Sequence, residues 1–365
     1  MEEIGVVIFG SINDIGNWSG TGYYLPKFLK EKYKITEISV KEGFFCLLVK
    51  LLARMFNRKA CSLYYYLLRI KCKSKIVKAK KEGVRKFVAI ACSPIISEKV
   101  FPDDVKVLYL TDATTELMQN YYWSYSRLDF KLMDKYEAEA INRSDICVTS
   151  SDWAAKSVIE YYKKDANKVF VVPFPSYFDK DYYNKRNYRN LYNKRNINAL
   201  LIGMDFERKG VDVAIKTIEI CNSVQDKFFF NLKIVGAENK LNKNYGDNIE
   251  FLGPLDKNDN DDLAKMIKLY QESDFFLLPT KAECAGIVFS EACMFGLPIF
   301  TSNTGGIGNY VIDGFNGEKV NISSEQALDL SNAIMKALKD EKIVEYSANS
   351  RFLYLTKLNK GQFSN

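Results

Sequence analysis

Pro279-Thr-Lys-Ala-Glu283-Cys-Ala-Gly286-Ile-Val-Phe-Ser-Glu291-Ala-Cys-Met-Phe-Gly296-Leu-Pro298 directly follows the apolar run Phe275–Leu278. A short apolar run, a loop opened by proline and a glycine at the head of a helical pattern are the parts of one strand-loop-helix unit of a parallel sheet. The first amides of such a helix have no acceptor within it, so Gly286, Ile287 and Val288 offer N–H groups to an anion, and Gly286 lets a diphosphate approach the backbone closely. Glu291, further along the helix, suits the vicinal hydroxyls of a ribose. Glu283, in the loop before it, falls where a transferred sugar would sit.

Outward from this unit, apolar runs alternate with helical segments along the whole chain. Strands are predicted at Ile4–Phe9, Ile35–Val40, Phe87–Ala91, Val105–Leu110, Ile146–Thr149 and Val169–Val172. A second series covers Ala199–Gly203, Leu232–Val235, Ile249–Leu252, Phe275–Pro279, Pro298–Thr301 and Glu318–Val320. With 365 residues the chain exceeds one ordinary core. Two doubly wound, Rossmann-like α/β domains facing a central cleft are expected, residues 1–190 and 191–365. The tyrosine-rich and basic stretch 173–196 reads as the linker. Ligands of open α/β sheets bind beyond the carboxyl ends of the strands, so the cleft is the expected active site. Asp259-Asn-Asp261 is read as a cap of the helix Leu263–Glu272 rather than a metal site.

The chain has no histidine, which removes catalytic triads and His-rich metal sites. Its eight cysteines are scattered without a Cys-x-x-Cys pair, and no secretory leader precedes Ile4, which fits a reducing cytoplasm. The net charge of +7 is concentrated: residues 41–86 hold fourteen basic and two acidic residues. Within it Phe44–Phe56 is too short and too charged to span a bilayer. It suits either an interfacial helix on an anionic membrane or a surface helix packed on its own sheet. Nucleic acid is set aside, because no recognised module accompanies the basic patch.

Two glutamates separated by seven residues, within Ala-Glu-Cys-x-Gly-Ile-Val-Phe-x-Glu-Ala and Phe-Gly-Leu-Pro, resemble the signature of family four retaining glycosyltransferases of the GT-B architecture. Further stretches carry the resemblance. Asn303-Thr-Gly305-Gly306-Ile307 is similar to that family's Gly-Gly loop at donor sugar and phosphates. Ile202-Gly203-Met204-Asp-Phe-Glu-Arg208-Lys209-Gly210 is similar to its phosphate-binding loop, although the arginine often found after the first glycine is here Met204. Asn17-Trp-Ser-Gly20-Thr-Gly22-Tyr23 is similar to the glycine-bearing loop after its first strand. Leu110-Thr-Asp112 lies where relatives often carry a histidine in the sugar pocket.

The resemblance implies a metal-independent, retaining transfer of a sugar from a UDP- or GDP-linked donor to the hydroxyl of a glycan or lipid-linked acceptor. It needs no cofactor beyond that co-substrate. Glu283 would orient the sugar, Lys209 and Arg208 would neutralise the leaving diphosphate, and Glu291 would anchor the ribose. Gly20, Gly22, Gly286, Ile287, Val288, Gly305 and Gly306 would approach the donor. Asp112 would contact the sugar, assist the acceptor hydroxyl or cap the following helix. The departing diphosphate would itself take the acceptor's proton, which suits a chain without imidazole. A non-catalytic nucleotide-sugar-binding subunit and a nucleotide-sugar epimerase are the alternatives. The roughly ten residues after Tyr354 are fewer than the ~12–15 of an independent helix, so either the return to the first domain is abbreviated or the sequence is cut short there.

Overall fold

The computed structural model describes residues 1–178, 180–183, 188–239 and 243–363. Each of the twelve predicted runs is a strand, and among the described residues the strands form two six-stranded sheets. The first sheet contains β1 (Glu3–Phe9), β2 (Lys34–Val40), β3 (Lys86–Ile90), β4 (Lys106–Thr111), β5 (Ile146–Thr149) and β6 (Val169–Val171), in the order β2-β1-β3-β4-β5-β6. The second contains β7 (Asn196–Gly203), β8 (Phe229–Gly236), β9 (Ile249–Phe251), β10 (Phe275–Leu278), β11 (Ile299–Ser302) and β12 (Gly317–Val320), in the order β12-β11-β10-β7-β8-β9. Every pairing is parallel. Strands covered on both faces need unbroken apolar runs, and all four residues of β10 are buried.

The connections are helical. In the first half these are α1 (Thr21–Leu29), α2 (Phe44–Met55), α3 (Ser62–Lys81), α4 (Thr115–Met118), α5 (Arg127–Arg143) and α6 (Asp152–Glu160). In the second they are α7 (Val211–Ser223), α8 (Asn260–Glu272), α9 (Ile287–Met294), α10 (Gln326–Lys339) and α11 (Lys342–Thr356). Asp259 caps α8, its carboxylate accepting from the Asp261 and Asp262 amides at 3.0 Å each, as expected of the Asp-Asn-Asp run.

The chain divides into two compact units, Met1–Pro173 with Lys360–Asn365, and Phe174–Asn359. The division falls at Pro173, not near residue 190, because the start of the expected linker is built into the second unit. The Phe174 amide donates to the Tyr310 hydroxyl at 2.9 Å, and its carbonyl accepts from Ser290 at 2.6 Å. Phe178 packs edge-on against Tyr270 and Phe295, and Leu191 is buried. Within the linker, residues 179 and 184–187 lie outside the described residues. The return to the first unit is a short 3-10 turn, Lys360–Phe363, where Lys360 pairs with Glu31 at 3.1 Å. Each sheet reverses its winding once, between β1 and β3 and between β7 and β10. Those two points are where binding crevices form in such sheets.

Candidate functional site

At the reversal point of the second sheet, the loops leaving β7 and β10 meet. The β7 loop ends at Gly210, which holds φ +65° and heads α7. Lys209 is buried and donates its ammonium to Glu283 Oε2. Arg208 donates to the Ala282 carbonyl at 3.1 Å and stands 4.0 Å from the same Glu283 oxygen. Its own carbonyl accepts from the Lys281 amide at 2.7 Å and from the Thr280 hydroxyl at 3.0 Å. The two loops are therefore bound backbone to backbone around one carboxylate and two cations. Gly203 makes this possible: a Cβ there would lie 2.6 Å from Lys209 Cγ.

A third loop joins them. Gly305 and Gly306 open a 3-10 turn, Gly305–Asn309, and the Gly306 amide donates to the Glu283 carbonyl at 3.0 Å. Gly286 caps α9 with φ +69° and no side-chain cap, and a Cβ there would lie 2.5 Å from the Phe289 ring. The Ile287 and Val288 amides occupy the first two positions of that helix, where no acceptor exists within it. Lys209, Arg208, Glu283, Gly286, Ile287, Val288, Gly305 and Gly306 are thus brought together in one unit. Met204 is largely exposed beside them.

Glu291 is fully buried, and both of its oxygens have partners. Lys257 pairs with Oε1 at 2.5 Å and Tyr270 donates to Oε2 at 2.9 Å. Burial, followed by the neighbouring Glu291 charge, pushes the Tyr270 hydroxyl far above its ordinary pKa, so it stays a donor. Lys257 also lies over the Phe178 ring, 4.7 Å from its centroid. A ribose held by Glu291 would share that carboxylate with Lys257. The lysine was not read from the sequence: it sits in the polar turn before α8, and only the fold carries it to a residue 34 positions away.

At the reversal point of the first sheet is a cavity of about 760 Å³ within the first unit. Gly10, Ala91 and Asp112, at the carboxyl ends of β1, β3 and β4, line it, as do Trp18 and Trp123. The cap of α4 is Thr114, whose side chain accepts from the Leu117 amide, so of the three readings of Asp112 the cap is taken by another residue. Gly20 heads α1 with φ +90°, and Gly22 packs where a Cβ would lie 2.7 Å from Ile8. Gly22 therefore serves the contact between α1 and β1.

Glu137 of α5 also lines this cavity, and no motif marked it. It is buried and accepts from Tyr109 at 2.7 Å, Ser93 at 3.0 Å and Thr115 at 3.1 Å. Burial raises its pKa above the ordinary carboxylate value against the pull of those three hydroxyls.

The basic segment is resolved into α2 and α3. Several of its cations are paired within the unit: Lys50 with Glu42, Arg58 with Asp129, Arg69 with Glu139 and Lys80 with Asp104. The apolar residues of α2 are largely uncovered. Phe44 and Phe45 are 75% and 71% exposed, Met55 and the Phe56 that follows the helix both 79%, and Cys46 is the buried residue of the helix. No helix among the described residues is long and apolar enough to cross a membrane.

Residues 184–351 match the profile of the family described as glycosyl transferases group 1. The chain is 30% identical over 172 residues to an uncharacterized glycosyltransferase of Methanocaldococcus jannaschii, covering 44% of each chain. It is 29% identical over 211 residues to the lipopolysaccharide glucosyltransferase WaaG of Escherichia coli K12, covering 53% of each. The matched stretches thus span about half the length of these curated relatives. Two solved structures share the fold. A glycosyltransferase from Rickettsia africae has a TM-score of 0.68 at 17% identity, over 99% of this chain and 95% of its own. HepE of Anabaena, solved in complex with UDP, has a TM-score of 0.68 at 15% identity, over 100% and 97%.

Proposed function

We propose that the chain, whose residues 184–351 match the profile of the glycosyl transferases of group 1, is a retaining glycosyltransferase that moves a sugar from a nucleotide donor to an acceptor hydroxyl. The product belongs to a polysaccharide, lipid-linked or surface glycan. The observation that carries this reading is the buried Lys209–Glu283 pair, bound through the Glu283 carbonyl to Gly306. It draws three separate sequence motifs onto one point at the head of α9.

In the proposed reaction the donor diphosphate lies on the Ile287 and Val288 amides, with Arg208 and Lys209 offsetting the charge that grows as the anomeric carbon–oxygen bond breaks. Positive charge comes from these residues, so the mechanism calls on no metal. Glu283 holds the sugar, and Glu291 with Lys257 holds the ribose. The acceptor oxygen bonds to the anomeric carbon on the face the diphosphate leaves, and its proton passes to the departing phosphate oxygen. Asp112 orients the acceptor. The UDP complex of HepE supports a uridine donor.

Nucleotide release from a panel of UDP- and GDP-sugars tests this. Wild type should release nucleotide from one donor, and Glu283→Ala should lose at least about 100-fold, in line with losing one pre-organised polar group. Equal release by both proteins would refute the assignment. Conversion of the donor to another nucleotide sugar without acceptor would favour an epimerase instead.

The exposed face of α2 supports a second part of the proposal, that the enzyme works in the cytoplasm against an anionic membrane surface. The eight free cysteines fit that compartment. Each buried Phe contributes about 1.5–3 kcal/mol to interfacial binding. Phe44→Ser with Phe45→Ser should abolish sedimentation with phosphatidylglycerol vesicles, and undiminished sedimentation would remove the membrane from the account. Arg58 is a poor target for this test, because it already serves the buried Asp129.

A further inference from the structure

Two helices of the first unit, α2 and α5, face each other across an uncovered groove of about 680 Å³. From α2 and the residue that follows it come Val49, Leu52, Ala53 and Phe56, spaced i, i+3, i+4 and i+7, an unbroken apolar row. From α5 come Leu128, Lys131, Leu132 and Lys135 at the same spacing, so that each leucine has a lysine beside it. Buried Ala60 and the side chain of Leu63 add to the apolar lining. Helices packed directly on each other bury such rows. Here Leu52, Phe56, Leu63 and Leu128 remain between 49% and 79% exposed.

The charge on the groove has one sign. Its described lining holds three cations, Arg58, Lys131 and Lys135, and no carboxylate. Arg58 is committed to the buried Asp129. Lys135 stands 3.8 Å from Glu139, but that carboxylate is held by Arg69 at 2.7 Å. Lys131 makes no ion pair among the described residues. A small apolar molecule in the groove leaves both ammonium groups unused, and a free anion leaves the leucines wet. Hydrocarbon carrying an anionic head satisfies both, with the lysine stems lying along the leucines. The same helix α2 also carries an outward row, Phe44, Leu48, Leu51 and Met55, none of which lines the groove. One row of α2 thus faces the proposed membrane, and the adjacent row faces the groove.

We infer that the groove between α2 and α5 takes one acyl chain of an anionic membrane phospholipid, with Lys131 and Lys135 on its head-group phosphate. Attraction of basic residues to a charged surface needs no particular lipid, whereas a chain lodged between two helices is a site for one molecule. The inference rests on the membrane part of the proposed function and adds to it a built lipid site, separate from the outward face of α2.

The test is isothermal titration calorimetry of the full chain with lauroyl lysophosphatidylglycerol and lauroyl lysophosphatidylcholine, each below its critical micelle concentration. Wild type should bind the glycerol lipid saturably, at least about fivefold more tightly than the choline lipid, the effect of one lysine beside an anionic lipid. Shortening the chain should weaken binding about fourfold for each methylene lost. Lys131→Gln with Lys135→Gln should abolish the head-group preference, and Leu63→Ser with Leu128→Ser should weaken both lipids severalfold. All four side chains are exposed, so both variants should fold. Phe44→Ser with Phe45→Ser should keep lysolipid binding while losing vesicle sedimentation. Equal affinity for the two lipids, or no effect of chain length, overturns the inference. So does a mass of two chains by light scattering that the lipid leaves unchanged, which gives the groove to a second copy. Saturable lysolipid binding without vesicle sedimentation overturns the membrane reading and leaves the groove's ligand standing; sedimentation without lysolipid binding does the reverse.

Discussion

Replacing Lys209 with methionine separates the structural from the chemical work of the pair it forms. Both side chains are about 10% exposed, so the pair is nearly dry. Removing one partner of a buried pair costs about 3–5 kcal/mol, because the other charge stays behind. Here Arg208 remains 4.0 Å from the stranded oxygen and recovers part of that. The net loss should be about 2–3 kcal/mol. For a unit of the size of Phe174–Asn359, where 1 kcal/mol moves Tm by roughly 2–4 °C, its melting should fall by about 5–10 °C. Glu283→Gln in the same background removes the stranded charge, so the double variant should regain most of that loss. Nucleotide release should not return: Lys209→Met should lower it about 100-fold and the double variant at least as much. The assays are differential scanning fluorimetry and coupled nucleotide detection on the four proteins of the cycle. Strict additivity of the two Tm changes would show that the pair is uncoupled. Wild-type release from Lys209→Met would show that the cation does not serve the leaving group.

Three further substitutions test the neighbouring groups. Met204→Arg adds a cation beside the proposed diphosphate position and should raise nucleotide release about tenfold, the effect of one charge-assisted hydrogen bond, read as kcat/KM. Asp112→Asn should lower acceptor-dependent transfer while leaving Tm within about 1 °C, because Thr114 rather than Asp112 caps α4; a large Tm drop would assign Asp112 to structure. Asp129 is buried, which by itself would raise its pKa, but the Lys59 amide and the Arg58 guanidinium hold it below its ordinary 3.8. A depressed carboxylate stabilises above its unfolded pKa and loses that contribution as pH falls through the folded one. Asp129→Asn should therefore melt lower than wild type at pH 6, with the gap closing below about pH 4.

The central strands were legible because strands covered on both faces are apolar, as β10 is throughout; the edge strands β2, β9 and β12 carry Glu37, Glu250 and Glu318 and were placed by the alternation of runs and helical segments. Boundaries drifted where a strand begins with a polar residue, as β7 does at Asn196. The meeting of the second unit's loops was legible because its glycines and cations stand in a fixed order along the sequence, Gly203 to Gly210, Glu283 to Gly286 and Gly305 to Gly306. Other features were not. Lys257 reaches Glu291 only through the packing of α8, and its surroundings read as a polar turn. Glu137 lies in the charged pattern of α5, where neighbouring carboxylates such as Asp134 and Glu139 face less enclosed surroundings, so nothing local marks it as buried. The composition of 173–196 suggested an interdomain linker, yet Phe174 and Phe178 pack its start into the second unit. In the basic segment the charge count overstated the role of the cations, several of which are paired, and understated the uncovered phenylalanines of α2.

If the head of α9 and the Lys209–Glu283 pair form the donor site, a crystal structure with a slowly turned-over UDP-sugar will show it. The diphosphate should lie on the Ile287 and Val288 amides, with Lys209 and Arg208 within contact of its oxygens, the ribose on Glu291 and the sugar on Glu283. A donor bound elsewhere, with the Lys209–Glu283 pair untouched, would contradict it.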